Sequence, residues 1–421
     1  MKRFAVLFSG QGSQYVGMGK KLFERDGSTR ALFETASQTL GIDMAHLCFE
    51  GKAEDLNRTE NTQPALLLCS VADYLSFRTR TGLTPAFMAG HSLGELSALV
   101  ASEAISLEDG LRLARARGLA MSRCGMAGKA GMHAVTKLEQ SKVEQVCSAT
   151  SGFRSEFVLA NLNAPGQFVL SGSLAGLDSA GAALKEAGGT IIPLRVSGPF
   201  HSPFMAKAAE EFAAVIANIK LQQPQVPVVA NINARLHGAP ADIVQALVQQ
   251  ITSPVLWSDT MKLLQREGVE VYLEAGPGEV LKKLALSNIS LANAFALDQE
   301  ADRLAIEHLF GADIRAMKER PSVVGKCMAI AVCTQNNNWN EDEYQSGVVE
   351  PYRQLKSMQE RLEHAGEEPT TIDMRQALDY LGQIFATKGA AQDERNWRLT
   401  QIIESTGTQD VLSNYSFHAA A

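Results

Sequence analysis

Along the first 125 or so residues, short apolar runs alternate with longer stretches in which apolar positions recur every three to four residues. The first run is Phe4-Ala5-Val6-Leu7-Phe8; a later one, Pro85-Ala86-Phe87-Met88-Ala89, leads through a turn into Leu93-Gly94-Glu95-Leu96-Ser97-Ala98-Leu99-Val100. Short buried strands alternating with amphipathic helices predict a parallel sheet covered by helices. Between 127 and 197 the order changes to strand 131–135, helix 142–149, strand 156–161, strand 167–171, helix 177–187 and strand 190–196. That is the order of a ferredoxin-like split βαβ unit. A helix resumes at Phe204, followed by strand 226–232, helix 241–250 and strand 270–275, which ends at Gly276-Pro277-Gly278. The fold class is therefore α/β, with a small domain (127–197) inserted in a larger one (1–126 and 198–300).

The remaining stretch, 301–421, reads as a linker and a mostly helical extension. Val323 to Cys333 is an apolar run that suits a strand or a buried helix. Val348, Tyr352, Leu355, Met358 and Leu362 recur at helical spacing before Gly366, and Met374, Leu378, Leu381 and Phe385 do so again. Each such stripe must be covered by the main body or by another protein, because a bare one exposes a large apolar patch.

Composition narrows the class. The 421 residues leave room for two or three domains, and 45% hydrophobic content is ordinary for a globular chain. No segment approaches the roughly 20 apolar residues of a membrane span. Met1-Lys2-Arg3 runs straight into a strand without a cleavable apolar region, so a cytoplasmic location is expected. Six cysteines show neither CxxC nor Cys/His ligand spacing, which predicts reduced thiols and no zinc site. The net charge is −7, and from Asp313 onward 11 Lys and Arg face 16 Asp and Glu. The acidic excess therefore lies mostly in the extension.

The chemistry centres on Gly90-His91-Ser92-Leu93-Gly94. A GxSxG between a strand and a helix is the layout of a nucleophile elbow: the serine is held clear of the surface on a tight turn, and the following amide sits where an oxyanion forms. Ser92 needs a neighbouring base. His46, His237, His308, His364 and His418 lie in polar or terminal surroundings that predict solvated roles. His133, in Gly131-Met132-His133-Ala134-Val135, reads as a half-buried strand residue, and His91 adjoins Ser92 on a turn where neighbouring side chains diverge. His201 follows strand 190–196 and the turn Ser197-Gly198-Pro199, so it sits on a loop at a strand end, where a scaffold presents reactive groups. Gly10-Gln11-Gly12 after the first strand is no dinucleotide fingerprint, because Tyr15 stands where glycine or alanine is required. No Walker lysine pattern is present either.

Six ordered blocks resemble the malonyl-CoA:acyl carrier protein acyltransferases over residues 1 to about 300. They are Gly10-Gln11-Gly12-Ser13-Gln14, Gly90-His91-Ser92-Leu93-Gly94, Ala116-Arg117-Gly118, Ala160-Asn161-Leu162-Asn163-Ala164-Pro165-Gly166-Gln167, Gly198-Pro199-Phe200-His201-Ser202 and Glu274-Ala275-Gly276-Pro277-Gly278. The resemblance implies an α/β-hydrolase-like large domain in which Ser92 attacks the malonyl thioester and His201 serves as general base, then acid. It implies an oxyanion hole from the Leu93 amide and a Gln11 donor, and a main-chain carbonyl near Gln250 that orients His201 in place of an aspartate. Arg117 would bind the malonyl carboxylate through two parallel charged hydrogen bonds, whereas Arg112 and Arg115 on the same helix read as solvated. Phe200 matches the bulky residue of malonyl-specific members and argues against methylmalonyl; His91, Met121 and Asn163 would line the substrate site.

Further implications concern partners. The substrate would be malonyl-CoA, with no tightly bound cofactor and no metal, and the acceptor an acyl carrier protein bearing phosphopantetheine; neither nucleic acid nor membrane is expected, and the chain is expected to be monomeric. Asp313-Ile314-Arg315-Ala316-Met317-Lys318 and Gly347-Val348-Val349-Glu350-Pro351-Tyr352 resemble the C-terminal extensions of discrete, trans-acting acyltransferases that serve modular polyketide synthases. The alternatives are the malonyl transferase of fatty-acid synthesis, a hydrolase that frees stalled acyl groups with the same Ser92 and His201, and a docking protein with a degenerate enzyme domain. Carrier proteins of this family are usually acidic, so Lys20, Lys21 and Arg195 are better carrier contacts than the acidic extension.

Overall fold

The computed structural model describes residues 1–417 apart from 126, 127, 195, 366, 367 and 413. It divides into two compact units, Met1–Ile314 and Arg315–Ala421. Gly366, Arg195, His418 and the closing alanines fall outside the described residues.

Among the described residues the first unit holds nine strands: β1 (Phe4–Phe8), β2 (Phe87–Gly90), β3 (Ala130–Thr136), β4 (Phe157–Ala164), β5 (Gln167–Ser173), β6 (Thr190–Pro193), β7 (Val228–Val229), β8 (Val271–Ala275) and β9 (Asn293–Ala296). Five of them form a parallel sheet in the order β7-β2-β1-β8-β9. β1 and β8 are buried at every position, as continuous apolar runs require when helices cover both faces. On one face Ala5, Leu7, Phe87 and Ala89 pack with Trp257, Met261, Leu264 and Leu281. On the other, Phe4 meets Phe77 and Phe310, and Phe8 meets Tyr74.

The helix Leu107–Arg123 is well specified locally. Ser106 accepts from the Asp109 amide, Glu108 and Asp109 sit in the first turn and Arg123 in the last, so charges oppose the helix dipole at both ends.

The other four strands form an antiparallel sheet in the order β4-β5-β3-β6, the ferredoxin-like arrangement. Val135, Phe157, Phe168 and Leu170 pack beneath the helices Gln140–Ala149 and Leu174–Glu186 through Val143, Leu177 and Leu184. The strand expected over 190–196 is regular only over Thr190–Pro193, with one further bond from the Leu194 amide to the Met132 carbonyl. Proline has no N–H to give, and β6 is an edge strand, where that loss is tolerated. The strand expected over 226–232 shrinks to Val228–Val229. Beyond it Ala234 takes φ 49° and the Ala234 amide donates to the Ala230 carbonyl, so the chain reverses instead of extending.

The second unit is helical. Val323–Cys333 is a helix, capped by Ser322 at its start and by the Lys388 ammonium, which donates to the Ala331 and Thr334 carbonyls at its end. Glu350–Ala365, Thr371–Lys388 and Gln392–Thr406 follow. Their stripes bury one another: Val324, Cys327, Leu355, Leu362, Leu378, Leu381, Phe385 and Ile402 share one core. The stripes therefore need neither the main body nor a second protein to cover them, which corrects the expectation from periodicity.

No helix among the described residues is long and apolar enough to cross a membrane.

Candidate active site

β2 delivers Gly90 to a turn and the helix Leu93–Ala101 departs from it. Ser92 lies between them at φ 53°, ψ −105°, a conformation that L-residues avoid and that persists only where the surroundings enforce it. Close packing explains the two flanking glycines. A Cβ on Gly90 would lie 1.9 Å from the Gly94 carbonyl carbon, and one on Gly94 would lie 2.0 Å from the Phe8 carbonyl oxygen. The Ser92 amide donates to Asn231 Oδ1 at 2.7 Å, and Asn231 Nδ2 donates to the Gly90 carbonyl at 2.7 Å, so the turn behind β7 clamps the elbow from below. Leu93 opens the helix, where the first amides have no intrahelical acceptor.

His201 comes from the loop after β6, at φ 58°. Its Nε2 lies 2.7 Å from Ser92 Oγ and its Nδ1 lies 2.9 Å from the Gln250 carbonyl oxygen. A carbonyl only accepts, so Nδ1 carries the proton of the neutral ring and Nε2 presents its lone pair to the serine hydroxyl. Burial, reinforced by the Arg117 charge, pushes the imidazole pKa down to about 3. The resting ring is neutral.

Arg117 lies on the inner face of Leu107–Arg123 and is only 3% exposed. Its guanidinium donates to Gln63 Oε1 at 2.9 Å, Gln250 Oε1 at 2.8 Å and Ser92 Oγ at 3.1 Å. All three acceptors are neutral. Among the described residues no carboxylate lies within ion-pair distance of it, and burial lowers its pKa to about 10 while Glu95 opposes the shift. Arg112 pairs with Asp109 at the surface, but Arg115 is not free in solvent: it donates to the Glu60 carbonyl and to Asn61 Oδ1.

The other expected residues divide. Met121 is buried and its Sδ accepts from Gln63 Nε2 at 3.6 Å, which joins it to the arginine group. Phe200 is buried beside His201 in sequence. Gln11 Nε2 donates to Thr59 Oγ1 at 3.2 Å, and Thr59 Oγ1 is 2.8 Å from Ser197 Oγ. His91 turns away from Ser92: its Nε2 is 2.9 Å from Asn163 Oδ1, its ring packs on Trp257, and burial lowers its pKa. Lys20 pairs with Glu50, and Lys21 is exposed.

Sequence reasoning missed Gln63, Glu95, Asn231 and His237. His237, expected in solvent, has a side chain 1% exposed with Nε2 2.9 Å from Glu95 Oε1. The turn that shortens β7 carries it inward, and nothing local in the sequence signals that. Glu95 did leave a signal, as a lone charge in the apolar stretch Leu93–Ala101. The six cysteines are free thiols, four of them buried, and no group of three or more metal-ligating side chains occurs among the described residues.

Comparison with known proteins identifies the family. The acyl transferase domain family matches residues 6–290. A malonyl CoA-acyl carrier protein transacylase of Bacillus subtilis strain 168 is 42% identical over 311 residues, covering 73% of this chain and 98% of that protein. A second protein of the same name from Bacillus subtilis is 29% identical over 404 residues, 96% of this chain and 100% of its own length. The crystal structure of the malonyl-CoA:acyl carrier protein transacylase of Xanthomonas oryzae, 40% identical, superposes with a TM-score of 0.71 over 73% of this chain and 98% of that one. The chain belongs to the acyl transferase family, among the malonyl CoA-acyl carrier protein transacylases.

Proposed function

We propose that the chain moves a malonyl group from malonyl-CoA to the phosphopantetheine thiol of an acyl carrier protein through an ester on Ser92. The observation that carries this reading is a buried guanidinium with only neutral partners, 3.1 Å from the nucleophile. An arginine so placed lacks a carboxylate partner of its own, and malonyl supplies one where acetyl does not. A hydrolase that frees simple acyl groups has no use for it.

As the Oγ–C bond forms, the Ser92 proton passes to His201 Nε2, and the Gln250 carbonyl steadies the imidazolium through Nδ1–H. The thioester oxygen becomes an oxyanion against the Leu93 amide and a donor from Gln11; one such donor contributes about 3 kcal/mol. Collapse breaks the C–S bond, and the coenzyme A sulfur leaves with the proton from Nε2. The pantetheine thiol then attacks the ester by the reverse sequence. Because Arg117 holds down the His201 pKa, an arriving malonate carboxylate that neutralises the guanidinium makes the base stronger when it is needed. In this reading Phe200, buried and next to the base in sequence, is the residue that excludes a branched acyl group.

We assign the carrier to a polyketide synthase served in trans. What supports this is the second unit, which has its own core and whose segments 313–318 and 347–352 resemble the C-terminal extensions of trans-acting acyltransferases. Incubation with malonyl-CoA and separate fatty-acid and polyketide carrier proteins, read by intact mass, tests it. Malonylation of polyketide carriers well ahead of fatty-acid carriers is the expected result; equal or reversed preference assigns the chain to fatty-acid synthesis, and no carrier malonylation defeats the transfer reading.

A further inference from the structure

Glu95 is wholly buried in the first turn of the elbow helix, and its carboxylate makes no hydrogen bond to the side chain of Ser92 or His201. Its Oε2 accepts from the Asn231 amide at 2.9 Å and from Gln250 Nε2 at 2.8 Å, while Oε1 faces His237 Nε2 at 2.9 Å. An ionised carboxylate is an acceptor only. The Gln250 amide must therefore turn its NH2 toward Glu95, where it also reaches the Ser92 carbonyl at 2.9 Å. Its oxygen is thereby committed to Arg117, 2.8 Å away. Reversing that amide would set oxygen against carboxylate and N–H against guanidinium. Both contacts would repel.

We propose that Glu95, fixed by His237, is a positioning residue that sets the selectivity of Arg117 for a carboxylate-bearing acyl group by acting through Gln250. The arrangement gives Arg117 a negative charge nearby without a carboxylate in contact. The charge sustains the guanidinium in a buried site, while the intervening amide keeps its donors free to exchange a neutral acceptor for the substrate's anion. A carboxylate paired directly to Arg117 would instead compete with malonate. Asn231 links Glu95 to the elbow as well, so a purely structural role is the competing account.

The inference rests on the assignment of Arg117 above, and a double-mutant cycle separates the two. The second-order rate constant for release of the coenzyme A thiol from malonyl-CoA and from acetyl-CoA is measured for wild type, Glu95→Gln, Arg117→Ala and the double variant. Glu95→Gln is expected to lower the malonyl-to-acetyl ratio by about tenfold, the scale of one weakened charged hydrogen bond, with the loss on malonyl-CoA. It is expected to change nothing further in the Arg117→Ala background. Glu95→Ala should lower the ratio more, and if that variant fails to fold, Glu95→Gln decides alone. A ratio unchanged in Glu95→Gln, or equal losses on both substrates, overturns the inference and leaves the role of Arg117 standing. A ratio unchanged in Arg117→Ala overturns the role of Arg117 itself.

Discussion

His201 Nε2 lies 2.7 Å from Ser92 Oγ across 109 positions of sequence. One residue ends the strand-turn before the elbow helix and the other follows the antiparallel sheet, so the insertion of one sheet in the other is what brings nucleophile and base together. Each has positive φ, and each is held by a fixed hydrogen bond: the Ser92 amide donates to Asn231 Oδ1, and His201 Nδ1 donates to the Gln250 carbonyl.

The depressed basicity of His201 predicts an unusual pH profile. kcat/KM reports the free enzyme's base, so its acid limb should lie well below 6.5, toward about 3. Arg117→Ala removes a charge that lowers this pKa and should move the limb upward. A wild-type inflection near 6.5 would show that the imidazole is not desolvated as described.

The same shift bears on stability. Between about 3 and 6.5 the unfolded chain binds the His201 proton and the folded one does not, so this site destabilises the fold as pH falls through 6.5. His201→Asn should therefore lose less Tm between pH 7 and pH 5 than wild type; an identical loss contradicts the assignment.

Arg117→Ala is expected to slow malonyl transfer by about a hundredfold or more, because a carboxylate left unpaired in a buried site costs on the order of 3 kcal/mol or above. Acetyl transfer should be spared or raised. Parallel rate measurements with the two thioesters check this, and equal losses would return Arg117 to a structural role.

Asp73 offers a test remote from catalysis. Burial and the neighbouring Asp298 push its carboxyl up to about 7, although it accepts from the Gly276 amide. The folded state holds the proton more tightly, so stability from this group is present below the unfolded value of 3.8 and lost as pH rises through about 7. Asp73→Asn keeps an acceptor and should raise Tm at pH 8 but not at pH 4. Thermal unfolding at both values decides, and an equal change at both contradicts the shift.

The helical unit has a core of its own, so a fragment covering 315–421 should unfold cooperatively. Residues 1–314, which contain every group of the proposed site, should retain acylation by malonyl-CoA. Loss of acylation in a folded 1–314 fragment would show that the site is incomplete without the extension.

Much of this was legible because it is local. The five-residue run of β1, the strand-elbow-helix around Ser92 and the alternation that yields the antiparallel sheet all follow from periodicity and from glycines that close packing demands. Asn231 and His237 were not legible. They reach the elbow only because the chain reverses after Val229, and that reversal depends on Ala234 and on hydrogen bonds within the turn. The stripes of Leu355 and Leu378 announced helices, but a stripe specifies which face is buried and not what buries it; here the helices cover one another.

Intact mass of the protein after mixing with malonyl-CoA, in the absence of any carrier, tests the central claim most directly. One malonyl group per chain is predicted, carried on the peptide that contains Ser92 and absent from Ser92→Ala. An undiminished adduct in the alanine variant, or malonyl passed to a carrier without one, would contradict the acyl-enzyme account.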